Sequence, residues 1–333
     1  PAFYSDFEAA RRRDPNYRST TRDVRRLLGE LNGRVDGLVL DLRENGGGSL
    51  QEAVDLTGLF IGEGPVVQVR NTGKSEPEVE SDSEPGRAYD GPLAVLVDHA
   101  SASASEIFAG AIQDYGRGVV IGDPTFGKGT VQTLIDLNRL TRAKEPQGQI
   151  KLTIAKFYRV NGSSTQHRGV RPDISIPSAM DSEEVGESAQ KNAVPWDEIA
   201  PTRYRGDRTL TGLIPELAQR HLTRVASDAN YQVFLSDLDF TRQQREKTTV
   251  SLLESQRRIE RDRIETWQRE RENRYRVTKG LPPLKPGDEI PEGKDSVIPD
   301  AALEESARIV SDLIVLSGAS TATSALVMGR DAL

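Results

Sequence analysis

Runs of apolar residues separated by turn-forming residues predict alternating strands and helices in the first half of the chain. The apolar run at 37–42 is typical of a strand buried on both faces, and a capping-box sequence then predicts a helix at 49–60. The alternation recurs downstream, where 93–97 and 119–121 predict strands around a helix at 104–115. Strand, helix and strand at this spacing favour right-handed parallel crossovers, so we expect an α/β layer.

Further apolar stretches predict the elements that border this layer. A strand is expected at 66–69, followed by a polar loop at 71–87 that we interpret as exposed. Two longer stretches, 130–137 and 149–160, show partial alternation of apolar and polar residues. We expect them to form strands that flank the parallel layer.

The composition of the sequence changes near Pro177, and an acidic, polar connector follows at 180–192. Such composition is typical of a domain boundary. We therefore predict an α/β core at 1–178 and a mainly helical C-terminal domain at 179–333.

The predicted C-terminal domain is polar. Arginines alternate with acidic residues between 250 and 276, and a solvated helix with i,i+4 ion pairs is favoured there over a nucleic-acid contact. The prolines of 281–299 cannot continue that helix. A last helix is predicted at 301–316, and no regular structure is expected from Gly318 onward.

Composition narrows the classes of function. The chain has 333 residues, 36% hydrophobic and 29% charged, which is typical of a soluble globular protein and long enough for two domains. It has no run of about 18 apolar residues that could span a bilayer. The net charge of −7 disfavours nonspecific binding of nucleic acid. Because cysteine is absent, disulfides, thiolate metal sites and cysteine nucleophiles are excluded.

The histidines and the first residues add two expectations. His99, His167 and His221 lie far apart and lack any zinc-binding spacing, so we expect neither a metal nor a cofactor. The chain begins at Pro1 without an initiator Met or a signal segment, and we interpret it as a fragment.

Ser103 lies in a serine-rich run where a predicted buried strand turns into a helix. Such a place presents backbone N–H groups and the positive end of a helix dipole, so a hydroxyl there can act as a nucleophile. Ser103 and Glu106 also fit the S-x-x-E capping box, and on this segment alone a simple helix cap is the favoured interpretation.

Lys128 favours the interpretation of Ser103 as a nucleophile, because it could supply the general base. It is flanked by Gly127 and Gly129 between two predicted strands. Glycines let backbone approach closely, and desolvation in a crowded place lowers the pKa of a lysine from about 10.4 toward the about 7–8 that suits a general base. The sequence superficially resembles a phosphate-binding loop, but the upstream glycine spacing and the following helix are missing. Lys128 is therefore a candidate base.

Five motifs follow one another in the core. They are Asp41-Leu42-Arg43-Glu44-Asn45-Gly46-Gly47-Gly48, Ser101-Ala102-Ser103-Ala104-Ser105-Glu106-Ile107, Gln113-Asp114-Tyr115-Gly116, Thr125-Phe126-Gly127-Lys128-Gly129-Thr130-Val131-Gln132 and Phe157-Tyr158-Arg159-Val160-Asn161-Gly162. Together they resemble the tail-specific protease (carboxy-terminal processing peptidase) family, most closely its long periplasmic members from Gram-negative bacteria. The resemblance covers about residues 30–180 and is weaker beyond, where long members carry a helical extension.

The resemblance implies a serine endopeptidase with a Ser/Lys dyad on a crotonase-like (ClpP-like) α/β peptidase core. The family's nucleophile corresponds to Ser103 and its general-base lysine to Lys128. Gln132 corresponds to the glutamine that holds the lysine side chain, and Asp114 to an acidic residue described in long members as part of the relay. A carboxylate beside the lysine would oppose its use as a base, so Asp114 could instead hold the nucleophile helix in place.

Acyl transfer also needs two preorganised donors for the tetrahedral oxyanion. We predict the Ala104 N–H, next to the nucleophile, and a glycine N–H from the turn at 45–48, two loops that the family likewise combines. Gly47 is the first candidate and Gly48 the second. The same glycines permit a tight strand-to-helix turn, and the two roles are compatible.

A Ser-His-Asp triad is the alternative mechanism. His99 lies four residues before Ser103, at the end of the same predicted strand, and we interpret it as a packing or loop residue. His167 lies in a polar loop. A lysine base is therefore favoured over a histidine base.

The resemblance also implies substrates and partners. Family members read the carboxy terminus of a substrate through a PDZ module, and no such module fits before Asp41. Expected substrates are periplasmic proteins with apolar C-terminal tails, long members can work with a lipoprotein adaptor, and no nucleic acid is expected. The alternative function is a scaffold or peptide-binding fragment that turns over nothing by itself.

Overall fold

The computed structural model describes residues 2–31, 33–140, 145–180, 185–318 and 325–328, without the side chains of 139, 208, 294 and 325–328. The chain divides into two compact units, which are described separately. The first unit comprises Pro1–Asp228 with Glu305–Leu333, and the second comprises Ala229–Glu304. None of the helices in these described ranges combines the length and the apolar character needed to span a bilayer.

The first unit holds the strands and most of the helices. In chain order its elements are α1 Phe7–Arg11, α2 Thr20–Leu31, β1 Gly37–Asp41, α3 Leu50–Ile61, β2 Gly64–Asn71, β3 Glu78–Asp82, β4 Leu93–Val97, α4 Ala104–Asp114, β5 Val119–Gly122, β6 Thr130–Asp136, β7 Gln149–Tyr158, β8 Ile174–Ser175 and α5 Arg208–Ser227. Helices α6 Ala229–Arg245 and α7 Glu254–Thr278 belong to the second unit, α8 Ala301–Ser317 begins in it and continues in the first, and β9 Ala325–Met328 follows.

A parallel sheet forms the centre of the first unit, in the order β8-β5-β4-β1-β9. Strands β1, β4 and β5 pair in parallel with one another, as the crossover spacing predicted. Every residue of β4 is buried, which explains its uninterrupted apolar sequence. Helices α3 and α4 contact each other through the edge-to-face pair Phe60 and Phe108, whose ring centroids lie 5.8 Å apart. The predicted α/β class is confirmed.

The parallel arrangement places the turns that follow β1 and β4 at one edge of the sheet, because β1 and β4 are neighbours. The glycine turn at 45–48 and the serine run at 101–105 follow these strands. The Ala102 N–H donates to the Asn45 carbonyl oxygen at 3.0 Å, so the two turns contact each other directly.

An antiparallel sheet, in the order β3-β2-β7-β6, lies beside these elements in the chain. Strands β6 and β7 confirm the stretches predicted at 130–137 and 149–160. The interpretation of 71–87 as an exposed loop is wrong at β3, which pairs antiparallel with β2. Edge strand β3 is polar because most of its residues are exposed or half-buried, so its hydrophobic pattern is too weak to reveal it.

The tail also departs from expectation. Residues after Gly318 were predicted to form no regular structure, whereas β9 pairs in parallel with β1 and aligns Ala325 with Gly37. The short apolar run of β9 is flanked by small polar residues, which hides the strand in the sequence. Residues 319–324 and 329–333 lie outside the described part of the chain.

In the second unit, helices α6 and α7 pack against each other in an antiparallel arrangement. Asp237 on α6 forms an ion pair with Arg271 on α7, and the rings of Phe240 and Trp267 stack with centroids 4.0 Å apart. Helix α7 begins at Glu254, four residues later than predicted, and carries exposed i,i+4 ion pairs such as Arg258 with Glu254. The mainly helical character of the C-terminal region is confirmed.

The first unit also contains helix α5 and the part of helix α8 from Glu305 onward. Glu305 at the start of its second segment is buried and lies 2.9 Å from the His221 ring on α5, and it accepts hydrogen bonds from Arg224 of the same helix. Helix α5 belongs to the same compact unit as the α/β layer. The domain boundary near residue 178 stays a prediction.

Candidate active site

Ser103 occupies the N-cap position of α4 with φ 57° and ψ −110°, a left-handed conformation that residues other than glycine seldom adopt. The hydroxyls of the other two serines in the run donate hydrogen bonds to backbone carbonyls. Ser101 donates to the Leu42 carbonyl and Ser105 to the Asn45 carbonyl, each at 2.8 Å, and both residues are fully buried. Ser103 alone of the three is partly exposed, so it is the serine that a substrate can reach.

One buried carboxylate joins the serine turn to the lysine loop. The Oε2 atom of Glu106 accepts the backbone N–H of Ser103 at 2.7 Å and the backbone N–H of Lys128 at 2.9 Å. Its Oε1 atom accepts the Thr125 hydroxyl at 2.7 Å and the Gly127 N–H at 2.8 Å. Since the backbone nitrogens of Ser103 and Lys128 both contact this oxygen, the distance between them cannot exceed the sum of the two hydrogen-bond lengths.

Glu106 is the residue of the candidate site whose contacts the sequence predicted only in part. The S-x-x-E spacing revealed its contact with Ser103, but nothing in the sequence indicated its contacts with residues 125–128. Burial raises the pKa of Glu106 to about 7, against the opposing effect of the hydrogen bonds that its carboxylate accepts. Its ionised form is the one suited to four donors, so the connection it makes depends on its charge.

Lys128 is half-buried in the loop that precedes β6. Burial lowers the pKa of its amine, the charge of Lys151 lowers it further, and the charges of Glu187 and Glu106 oppose the change. Within the described residues the amine forms neither an ion pair nor a hydrogen bond that would hold it protonated. This environment agrees in direction with the desolvation predicted from the flanking glycines.

The glycine turn packs against the backbone around Ser103. A Cβ atom built on Gly47 would lie 2.5 Å from the Ala102 carbonyl oxygen and 2.8 Å from the Ala104 nitrogen. The Ala104 N–H, in the first turn of α4, has no acceptor in the described part of the chain. The Gly47 N–H donates to Asn45 Oδ1 at 3.1 Å, whereas the Gly48 N–H has no such partner among the described residues. Gly47 is the glycine that packs against the serine turn, whereas the backbone of Gly48 packs against Phe3, so both glycines stay candidates in the predicted order.

Gln132 does not hold Lys128 in this structure. Its exposed side chain lies on β6 and its amide nitrogen is 3.4 Å from the Thr153 hydroxyl on β7. A register shift between Val131 and Gln132 accompanies this orientation. Spacing four residues beyond the lysine did not suffice to predict the direction of the side chain.

Asp114 is also separated from the serine along helix α4. It is the last residue of the 11-residue helix α4, whereas Ser103 precedes the first, so about 16 Å of helix lies between them. Arg159 binds the Asp114 carboxylate with two hydrogen bonds of 2.7 and 3.0 Å, and Asn161 donates a third at 2.8 Å. Burial raises the pKa of Asp114, and Arg159 opposes that rise. The geometry favours the alternative role, in which Asp114 anchors the nucleophile helix.

The histidines make other contacts. Buried His99 lies 3.0 Å from Asp123 through its Nε2 atom, and the His167 backbone N–H donates to the Gly127 carbonyl at 2.8 Å. The described residues contain no cluster of three or more His, Asp or Glu side chains arranged to hold a metal ion.

Comparison with known proteins connects this geometry to a family. Residues 4–176 match the sequence profile of peptidase family S41, and residues 180–315 match that of the C-terminal domain of tail-specific protease. The Tail-specific protease of Haemophilus influenzae is 40% identical over 306 residues, covering 90% of this chain and 44% of that protein. The Carboxy-terminal-processing protease of Bartonella bacilliformis is 40% identical over 148 residues, covering 44% of this chain and 32% of that protein.

A solved structure titled photosystem II D1 C-terminal processing protease is 31% identical, covers 52% of this chain and 44% of that one, and superposes with a TM-score of 0.41. The chain spans less than half the length of the two curated relatives. The family match nevertheless covers more than half of this chain, in the region that contains the serine turn and the lysine loop. The chain therefore belongs to peptidase family S41, the tail-specific, carboxy-terminal processing proteases.

Proposed function

We propose that the protein is a serine endopeptidase in which Ser103 is the nucleophile and Lys128 the general base. The observation that carries the proposal is the bridge by Glu106, whose Oε2 atom accepts the backbone N–H of both residues. A second support is the burial of Lys128, which lowers the pKa of its amine and makes the neutral form more accessible.

In the proposed mechanism, neutral Lys128 takes the Ser103 hydroxyl proton as the oxygen attacks a peptide carbonyl. The N–H groups of Ala104 and Gly47 stabilise the resulting oxyanion, with Gly48 as the second candidate for the latter position. The protonated lysine then gives its proton to the leaving amine. A water molecule, deprotonated by the same lysine, hydrolyses the acyl-enzyme and regenerates the serine.

Two further residues support this site in the proposal. Asp114 anchors the end of α4 through Arg159 and thereby keeps Ser103 in place. Gln132 can hold the lysine amine only after its side chain leaves Thr153, so we assign that role to a rearranged, substrate-bound state.

For substrates, we propose periplasmic proteins with apolar carboxy-terminal tails, and for a partner, a lipoprotein adaptor. Support comes from the motifs at 41–162 and from relatives named Tail-specific protease and Carboxy-terminal-processing protease. The alternative is a scaffold or peptide-binding fragment that keeps the site geometry without turnover.

Cleavage of an unstructured protein such as β-casein tests the proposal. Ser103→Ala and Lys128→Ala should each abolish cleavage, because each removes a reacting group, while the far-ultraviolet circular dichroism spectrum stays unchanged. Exposed Ser83→Ala and Lys74→Ala are the matched controls and should cleave at the parental rate. Turnover by Ser103→Ala at the parental rate contradicts the proposal, and a folded parent without any turnover favours the scaffold.

A further inference from the structure

A short stretch from the region of the C-terminal family match packs against the loop that carries Lys128. The Glu187 backbone N–H donates to the Phe126 carbonyl oxygen at 2.9 Å. Phe126 lies two residues before the lysine, so the stretch holds the loop on its N-terminal side. Glu187 itself opens a 3-10 turn, Glu187–Ala189, and is half-buried.

Gln166 makes the second connection, on the other side of the lysine. Its side chain is fully buried, and its Oε1 atom accepts the Gly129 N–H at 2.8 Å. Its amide group donates to Glu187 Oε1 at 3.2 Å and to the Val194 carbonyl at 2.8 Å. Phe126 and Gly129 lie on opposite sides of Lys128, and both are thus connected to the stretch that contains Glu187, the first directly and the second through Gln166.

Charged groups reach Lys128 from three elements. Glu106 acts from α4, Lys151 from β7 and Glu187 from the 3-10 turn, while the loop at 164–169 contributes the His167 backbone contact to Gly127. Glu106 is saturated by four donors, as described above. Glu187 accepts one side-chain hydrogen bond, from Gln166, and forms no ion pair with any described residue. Its charge is therefore the least compensated of the two negative charges near the lysine.

We propose that Glu187 is a positioning residue for Lys128: its backbone N–H holds Phe126, and its carboxylate holds Gln166, which in turn holds Gly129. This inference rests on the proposed role of Lys128. It assigns control of the catalytic base to a segment of the C-terminal region rather than to the serine and lysine motifs themselves.

The sign of the effect follows from the charges. Burial and Lys151 lower the pKa of Lys128, and Glu187 raises it by stabilising the ammonium form. Removal of the Glu187 charge should therefore release the neutral amine at lower pH. We expect a shift of about 0.5 to 1 pH unit for a half-buried pair beyond ion-pair distance.

The substitution Glu187→Gln tests the charge with little change of shape, because the amide oxygen can still accept the hydrogen bond from Gln166. Reactivity of the Lys128 amine with trace acetic anhydride is measured by mass spectrometry as a function of pH, in the full chain. We expect a lower midpoint, and thus about 3- to 10-fold greater reactivity at a fixed pH below it. Exposed Glu198→Gln, eleven residues farther along, carries the same charge change and should leave the midpoint in place.

A second variant separates charge from positioning. Glu187→Ala removes the acceptor as well as the charge, so it should lower the midpoint equally and also reduce the alkaline plateau of kcat/KM. The inference is overturned if Glu187→Gln leaves the labelling midpoint unchanged or raises it, whatever the activity of the protein. Failure of the dyad itself would appear separately, as cleavage that survives Ser103→Ala, because labelling of the amine requires no turnover.

Discussion

The bridge by Glu106 makes one substitution especially informative. Glu106→Gln keeps the size of the side chain but replaces one acceptor oxygen with an NH₂ donor. At the Oε2 position that donor would face the backbone N–H groups of Ser103 and Lys128. At Oε1 it would face the Gly127 N–H and the Thr125 hydroxyl, which already accepts the Val170 N–H at 2.7 Å and could accept the amide only by turning its own proton away. The second orientation is therefore the cheaper one.

The cost can be estimated from the contacts that remain. One hydrogen bond to a charged acceptor is lost, worth about 1.5–3 kcal/mol, and a donor then faces a donor in a fully buried place. The neutral amide also avoids the desolvation of a buried charge that raises the pKa of Glu106, which offsets part of this loss, so we expect the free energy of unfolding to fall by about 1–3 kcal/mol. Because Gly127 is released next to the lysine, a displacement of the base by a fraction of an ångström should lower kcat/KM by about 10- to 100-fold.

The assay compares Glu106→Gln with a matched buried glutamate. Glu52 on α3 is 5% exposed and accepts the backbone N–H and the hydroxyl of Thr21 at 2.9 and 2.8 Å, so these hydrogen bonds involve neither the serine turn nor the lysine loop. Glu52→Gln should therefore cost stability without loss of activity. Unfolding by urea gives the stability of each variant, and kcat/KM is measured on the alkaline plateau, where an altered titration of Lys128 does not contribute. If both variants lose similar stability and Glu106→Gln keeps the parental kcat/KM, the Glu106 bridge does not position the lysine loop.

Three further predictions concern the glycine turn, the helix anchor and pH. Gly47→Ala should lower kcat/KM by about 100-fold or more, because its Cβ would enter the backbone of the serine turn, whereas Gly46→Ala, with nothing within 4 Å, should cleave normally; equal activities would contradict this. Arg159→Met should lower the unfolding free energy at pH 7 by about 3–5 kcal/mol by leaving Asp114 buried without its partner, and a loss below about 1 kcal/mol in urea melts would refute the anchor. Activity should rise with pH through the folded pKa of Lys128, which burial lowers from 10.5, and a plateau above about pH 7 would indicate a histidine.

The parallel layer could be predicted because its signal is local. β4 is buried on both faces and reads as an apolar run, and the helices on either side carry apolar faces at helical spacing. Edge strands β3 and β9 gave no such signal. One is polar because it is exposed, and the other is too short to distinguish from a tail.

The candidate site shows the same division between local and long-range information. The residue types and order of Ser103 and Lys128 were recognisable, and so was the glycine turn. The directions of side chains were not, because they depend on neighbours distant in sequence: Gln132 lies toward Thr153, and Asp114 toward Arg159. The bridge by Glu106 spans about twenty residues of sequence, so only the folded chain could reveal it.

Covalent labelling of the serine tests whether Lys128 activates Ser103 as a nucleophile. The protein is treated with a fluorophosphonate across a range of pH, and the modified residue and its rate of formation are determined by mass spectrometry. We predict an adduct on Ser103 that forms faster as pH rises in the parent and at least 100-fold more slowly in Lys128→Ala. An adduct elsewhere, or labelling of Ser103 in Lys128→Ala at the parental rate, would contradict a serine nucleophile activated by this lysine.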